Sequence, residues 1–255
     1  MRSLLVLAAC AVALPAQSQI STDRPGLGFS PSVVPRGAVQ VEAGLPQATR
    51  VEGPEVAGAR ATFTSYAFPV ALRYGLTEAV ELRASTSVYD VARVSVDTPL
   101  GGGSESEGNA GFDLVELGAK IQLATNGPVV ALIPSVQVPT TEAGSLSAAF
   151  RTVAGWAIAD RLDLTTTLGA TVTDGDPDVS VAGEAAAVLT ASLAEAVSAY
   201  GEVGAFPADG GTPVLAGGGV LVLLSPDVQL DASFDVGLTA EAPDLLFGAG
   251  LSFRF

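Results

Sequence analysis

Val228-Gln229-Leu230-Asp231-Ala232-Ser233-Phe234-Asp235-Val236-Gly237-Leu238 sorts its residues by parity. The even positions hold Val228, Leu230, Ala232, Phe234, Val236 and Leu238, and the odd positions hold Gln229, Asp231, Ser233, Asp235 and Gly237. A helix, with 3.6 residues per turn, would scatter both sets around its axis. An extended strand, with a side-chain period of two, places one set on each face. The stretch therefore reads as a strand with one apolar face and one acidic face.

The same partition recurs outward from this segment. Val80, Leu82, Ala84, Thr86 and Val88 oppose Glu81, Arg83, Ser85 and Ser87, and Leu162, Leu164, Thr166, Leu168, Ala170 and Val172 oppose Asp163, Thr165, Thr167, Gly169 and Thr171. At the C-terminus, Phe247, Ala249, Leu251, Phe253 and Phe255 oppose Gly248, Gly250, Ser252 and Arg254. Applied along the chain, the pattern predicts strands near 38–48, 61–74, 79–92, 111–123, 128–138, 148–159, 162–173, 179–192, 196–206, 214–224, 228–239 and 244–255. Residues 182–203 would suit a helix on propensity alone, but Leu193-Ala194-Glu195-Ala196-Val197 repeats the turn-then-strand pattern of Ala159-Asp160-Arg161-Leu162-Asp163.

Composition selects the environment for these strands. Mean hydropathy is +0.45 and 48% of residues are apolar, yet beyond the N-terminus no apolar run is long enough for a membrane helix. A barrel strand needs only about ten residues to cross and meets lipid with every second side chain. The expected fold is all-β, a transmembrane antiparallel up-and-down β-barrel of about twelve strands over residues 38–255. Tight turns such as Ala159-Asp160-Arg161 and Leu224-Ser225-Pro226-Asp227 alternate with longer links at Arg50–Arg60, Asp97–Ala110, Pro139–Ser147, Thr173–Asp178, Pro207–Pro213 and Ala240–Pro243. That alternation is expected of short periplasmic turns and longer external loops.

Arg2, the apolar run Leu4 to Leu14 and the small or polar residues Ala16 to Gln19 have the layout of a secretory signal peptide over residues 1–18. Leu7-Ala8-Ala9-Cys10 has the order of a lipid-attachment box, but the apolar run continues through Cys10, which reads as part of the signal. Residues 19–37 are then expected to form a short periplasmic N-terminal segment. The chain has no histidine and its one cysteine lies in the signal, so Ser-His and Cys-His catalysis and the common transition-metal ligands are excluded. No enzyme activity, catalytic residue or cofactor is expected. The net charge of −15 argues against nucleic acid as a partner.

Thr22-Asp23-Arg24-Pro25-Gly26, Val34-Pro35-Arg36-Gly37, Val39-Gln40-Val41-Glu42-Ala43-Gly44, Leu72-Arg73-Tyr74-Gly75-Leu76-Thr77 and Glu81-Leu82-Arg83, with the closing Gly248-Ala249-Gly250-Leu251-Ser252-Phe253-Arg254-Phe255, resemble the outer-membrane barrels named after the meta-pathway of phenol degradation. The resemblance implies an outer-membrane channel or transporter for small solutes, aromatic or hydrophobic compounds among them. Outer-membrane lipid would be its surroundings. Phe253 and Phe255 resemble the terminal aromatic signal read by the barrel-assembly machinery. The alternative function is a closed structural or surface-interaction barrel acting through its external loops.

In this register Glu42, Arg73, Glu81, Arg83, Glu116, Lys120, Arg151, Asp163, Glu184, Glu202, Asp231, Asp235 and Arg254 point into the lumen, as the cost of charge on the lipid face requires. Two readings stay open: the charges line a water-filled path and set its selectivity, or they pair with one another and fill a narrow barrel. Tyr89 and Tyr200 fall on the inward parity and are candidates for contacting cargo. Trp156, Tyr66, Tyr74 and Phe247 fit an aromatic girdle at the membrane interfaces. No metal site is expected; Asp174, Asp176 and Asp178 have the spacing of a weak calcium candidate that lacks the distal Glu.

Overall fold

The computed structural model describes residues 19–112, 114–125, 127–142, 144–175 and 178–255. The strands are β1 (Val39–Glu52), β2 (Arg60–Gly75), β3 (Val80–Thr98), β4 (Gly101–Ala110), β5 (Leu114–Ala124), β6 (Val129–Pro139), β7 (Ser147–Ala159), β8 (Leu162–Thr173), β9 (Ser180–Ala194), β10 (Val197–Ala205), β11 (Val214–Ser225), β12 (Val228–Gly237) and β13 (Leu245–Arg254). Neighbours pair antiparallel, and β1 pairs with both β2 and β13, so the sheet closes on itself. Twelve strands form the ring. The thirteenth, β4, pairs with β3 and with no other strand among the described residues. This is the antiparallel transmembrane barrel that the alternation predicts, and closure satisfies the backbone groups that an open edge would leave bare in lipid.

The faces separate as parity requires. On β12, Asp235 is 3% exposed and its neighbour Phe234 is 50% exposed on the outer wall. Leu168, mid-strand on β8, is likewise turned outward at 64%. Leu168→Arg is expected to destabilise the barrel by about 2–4 kcal/mol, and Val181→Arg, at the end of β9, by about 0–1 kcal/mol. Urea unfolding in lipid vesicles measures both, and equal costs would contradict this depth assignment.

One of the expected external loops, 97–110, is largely strand, and another, 50–60, is shortened by strand at its ends. β1 continues to Glu52 before β2 begins at Arg60, and β3 and β4 are joined by a turn at Pro99-Leu100. The Gly, Ser and Glu content of 101–110 resembles a loop, but the ladder from Thr98↔Gly101 to Tyr89↔Ala110 gives its backbone regular partners. Pairing with β3 overrides residue preference here. Below it, Gly111 N and Phe112 N donate to Val88 O and Ser87 O, and β5 resumes at Thr86↔Val115. β4 and β5 are thus one interrupted strand, broken where Phe112 takes a φ of 73°.

A bulge corrects the expectation for Tyr89. Ala67 pairs with Asp90 and Pro69 with Ser87, so Val88 and Tyr89 together oppose Phe68. The extra residue shifts the parity of the upper part of β3. Asp90, not Tyr89, joins Ser87 on the inner side, accepting a 2.8 Å bond from its hydroxyl. Tyr89 packs its ring 6.2 Å from that of Phe68 and is 45% exposed.

Residues 19–37, expected as a short periplasmic N-terminal segment whose place relative to the lumen is not given by alternation, run inside the barrel. Ile20 N donates to Pro226 O at the short-turn end, the chain runs among the inward-pointing side chains, and it returns to the same end where Arg36 bridges to Gly75. The physical reason is complementarity: the segment brings Asp23, Arg24 and unpaired backbone groups to a lumen rich in charged partners. The signal peptide expected over residues 1–18 lies outside the described residues.

Candidate functional site: a plugged lumen with two charged walls

The first wall is built by β2, β3 and β5. Arg73 on β2 uses all five of its N–H donors. Nε and Nη2 form a fork on Glu81 at 2.8 and 2.9 Å, Nη1 donates to Glu42 at 2.6 Å, and Ser21 O and Ser32 O of the plug accept the remaining two. Lys120 on β5 donates to Asp23 at 2.8 Å and to Ser30 O at 2.8 Å. Arg83 on β3 also donates to Asp23. The cluster is neutral, with Asp23, Glu42 and Glu81 against Arg73, Arg83 and Lys120. Buried charges are tolerable only when paired and fully hydrogen-bonded, and here the plug supplies one of the three anions.

Above this cluster Phe29, at the inner bend of the plug, lies between two guanidiniums, with Arg83 at 5.5 Å and Arg151 at 5.1 Å from its ring centre. Both distances suit cation–π attraction. Arg151 is held by Glu184 at 2.9 Å and Glu116 at 3.2 Å, and Phe29 N donates to the Thr167 hydroxyl at 3.1 Å.

The second wall is acidic and lies across the lumen on β10–β12. Glu202 on β10 and Asp235 on β12 both register with Gly217 on β11, and Tyr200 and Ser233 both register with Gly219. Two successive inward positions of β11 therefore carry no side chain, and residues from both neighbours lean over the gap. A Cβ at Gly219 would fall 2.6 Å from the Tyr200 hydroxyl. The plug meets this wall through Leu27 N, which donates to Glu202 at 2.5 Å, and Arg24, which reaches Asp231 at 3.5 Å. Asp23 and Arg24, adjacent in sequence, thus tie the plug to opposite walls.

Beside the plug runs a cavity of about 330 Å³, bordered by Arg24, Asp163, Thr190, Ser198, Tyr200 and Gln229. Asp163 is exposed to this space, whereas Arg254 lies at the rim and pairs with Asp227 at 2.6 Å. Phe253 and Phe255 stack at 6.0 Å on the outer face. Of the three acids in the calcium candidate, Asp176 lies outside the described residues. Sequence parity misses Asp23, Arg24 and Phe29, because residues 19–37 show no strand alternation to mark which way a side chain points. Asp23-Arg24 is a lone charge pair in an otherwise uncharged stretch, 19–35, and it could have been matched to the inward charges of β2, β3 and β5.

Burial alone would raise the Asp23 carboxyl, but Arg73, Lys120 and Arg83 hold it well below the usual carboxylate range. A group depressed in the docked state contributes fully above its undocked value of about 3.9 and loses that contribution as pH falls through its docked value. The plug is expected to stay seated from pH 7 to about 4.5 and to loosen only in stronger acid. Single-channel current across this range checks it, and a rise near pH 6 would place the latch on another group.

The family model described as "Putative MetA-pathway of phenol degradation" matches residues 22–255. The chain belongs to this family. The match begins at Thr22, so the phenol-degradation family pattern includes the plug residues Asp23 and Arg24 as well as the barrel. Among solved structures, an outer-membrane channel from Pseudomonas putida F1 aligns with a TM-score of 0.64 at 14% identity, covering 91% of this chain and 99% of that one. The NanC porin aligns at 0.54 and 9% identity, covering 85% and 100%. The β domain of the Bordetella autotransporter BrkA aligns at 0.51 and 13%, covering 86% and 100%. These likenesses establish the outer-membrane barrel fold for this family member. No curated protein matches the chain.

Proposed function

We propose that this protein resides in the outer membrane as a channel for passive passage of small solutes, with residues 20–36 forming an internal constriction. The observation that carries the reading is the arrangement of the lumen: a neutral wall in which Arg73, Arg83 and Lys120 pair with Glu42, Glu81 and the plug's Asp23, an acidic wall with Glu202, Asp231 and Asp235, and a polar cavity beside the plug. The unbalanced charge of the acidic wall tunes the ion preference of such a path. Aromatic compounds are included among the solutes on the family's description alone. The protein acts as a conduit rather than an enzyme. Its surroundings are outer-membrane lipid, and Phe253 and Phe255 are the groups offered to the assembly machinery.

Planar-bilayer recording of the refolded protein, with heat-modifiable gel mobility as the control for a formed barrel, tests the proposal. Stepwise currents are expected, and Asp231→Asn with Asp235→Asn should lower cation preference. A folded barrel that passes no current would instead support the second reading, a closed surface barrel. That reading has one observation in its favour, the β3–β4 hairpin whose outer strand has only β3 as a partner among the described residues.

A further inference from the structure

The cavity of about 330 Å³ beside the plug is bounded by two unlike surfaces. On the plug side the polar groups are already engaged. Ser21 and Ser30 share a 2.6 Å hydrogen bond, the Thr22 hydroxyl donates to Arg24 O and accepts from the Gln229 amide, and Asp23 accepts from Lys120 and Arg83. On the barrel side the cavity is lined by Thr165 of β8, Thr190 and Ser192 of β9 and Ser198 of β10, and none of these hydroxyls has a hydrogen-bond partner among the described residues. Ser192 and Ser198 are register partners, and Thr190 stands in register between Asp163 and Tyr200, so the hydroxyls form one continuous patch. Val188 and Leu221 set apolar surface among them.

The recess faces the short-turn end of the barrel. Asp163, Ser198 and Gln229, which all border it, are the second residues of β8, β10 and β12, and Asp163 is exposed. Its inner end is closed by the plug, where a Cβ on Gly26 would fall 2.6 Å from Glu202 Oε2 and one on Gly28 would fall 3.0 Å from Val188 Cγ2. A hydroxyl both donates and accepts, so the group it matches best is another hydroxyl. The recess is not built for an ion: Asp163 and Arg24 at its border carry opposite charges, and Asp23 is already paired. Its volume lies at the small end of the range for ligand cavities, about 300–1,000 Å³, which suits a single ring with its substituents. A ring that carries several hydroxyls offers polar edges to the Thr and Ser patch and C–H faces to Val188 and Leu221.

We propose that Thr165, Thr190, Ser192 and Ser198 form a binding station for uncharged, polyhydroxylated solutes of one ring, at the short-turn mouth of the lumen. The proposal rests on the channel reading for its biological role, although binding itself requires no conduction. The test is saturation-transfer NMR on the full, refolded protein in a detergent without sugar head groups, with protein-free micelles as the blank. The probes are myo-inositol, cyclohexanol, which keeps the ring and one hydroxyl, and sodium benzoate, which brings a charge. Saturable transfer to myo-inositol alone is expected. Thr190→Val and Ser198→Ala should each weaken it about three- to tenfold, while Ser85→Ala, on β3 outside this recess, should leave it unchanged. Raising the salt from about 0.1 to 1 M should also leave it unchanged, because no ion pair is involved. Gel mobility confirms folding, and two independent hydroxyl variants keep the test decisive if one fails to fold. No saturable transfer to myo-inositol would mean that the hydroxyls serve water only and would overturn the station. Equal binding of cyclohexanol or benzoate, or binding unchanged in both hydroxyl variants, would overturn it as well. A protein that binds myo-inositol but carries no current would remove the channel reading and leave the station standing, while a conducting protein that fails to bind would do the reverse.

Discussion

Deletion of residues 20–36 is expected to raise unit conductance several-fold while leaving the barrel folded. The segment occupies the lumen between the two charged walls, and its loss removes both the obstructing backbone and the Asp23 carboxylate. Arg24 and Arg36 leave with Asp23, so the deletion takes away two bases and one acid, the acidic wall loses its one plug cation, and the open path should also shift toward cations. Water entering the emptied lumen would solvate the charges left on the barrel wall, which is why the ring of strands should survive. Planar-bilayer recording of the deletion variant beside the intact protein measures both effects. Equal conductance would mean that solutes do not pass the plug region at all, and a shift toward anions would mean that the acidic wall does not face the opened path.

Arg73→Met is expected to be the most destabilising single change in the lumen. Arg73 is completely buried, its fork holds Glu81, its third side holds Glu42, and its last donors hold the plug backbone at Ser21 and Ser32. Breaking a buried network by removing one partner strands the others, at a cost of about 3–5 kcal/mol. Urea titration in vesicles should show this loss. Arg73→Lys should recover little of it, because a single ammonium cannot reproduce the bidentate fork. Adding Glu81→Gln to Arg73→Met should return part of the stability, since it removes one stranded charge, and this coupling is what a double-mutant cycle reads. A cost below about 1 kcal/mol for Arg73→Met would mean that water already reaches the cluster.

The contrast between the two walls also bears on how the plug is held. Asp23 is gripped by Lys120 and Arg83, whereas Arg24 makes one long contact with Asp231 and a 3.0 Å bond to Ala249 O. The plug is therefore held by ion pairs at Asp23, and on the acidic side by the Leu27 N–H on Glu202, the Gln229 amide on Thr22 and the long Arg24 contact.

Alternation alone determined the barrel of this protein. Asp231, Ser233 and Asp235 could share a face with one another and not with Leu230 or Phe234 only in a strand, and a hydropathic chain built of such strands has closure as its one solution in lipid. The pairing of β4 with β3 was hidden because glycine, serine and glutamate carry little strand preference of their own, and their strand state is imposed by a neighbour. The inward turn of Tyr89 failed for a related reason: a bulge changes parity at a point that no single-strand pattern marks. The plug lay furthest from view. Residues 19–36 have no periodicity, and their conformation is set by partners such as Arg73, Lys120, Thr167 and Glu202, which stand on separate strands and converge only when the ring closes. Local pattern fixes which way a side chain points from its own strand; what it meets there depends on strands distant in the chain, and that was decided by the tertiary structure.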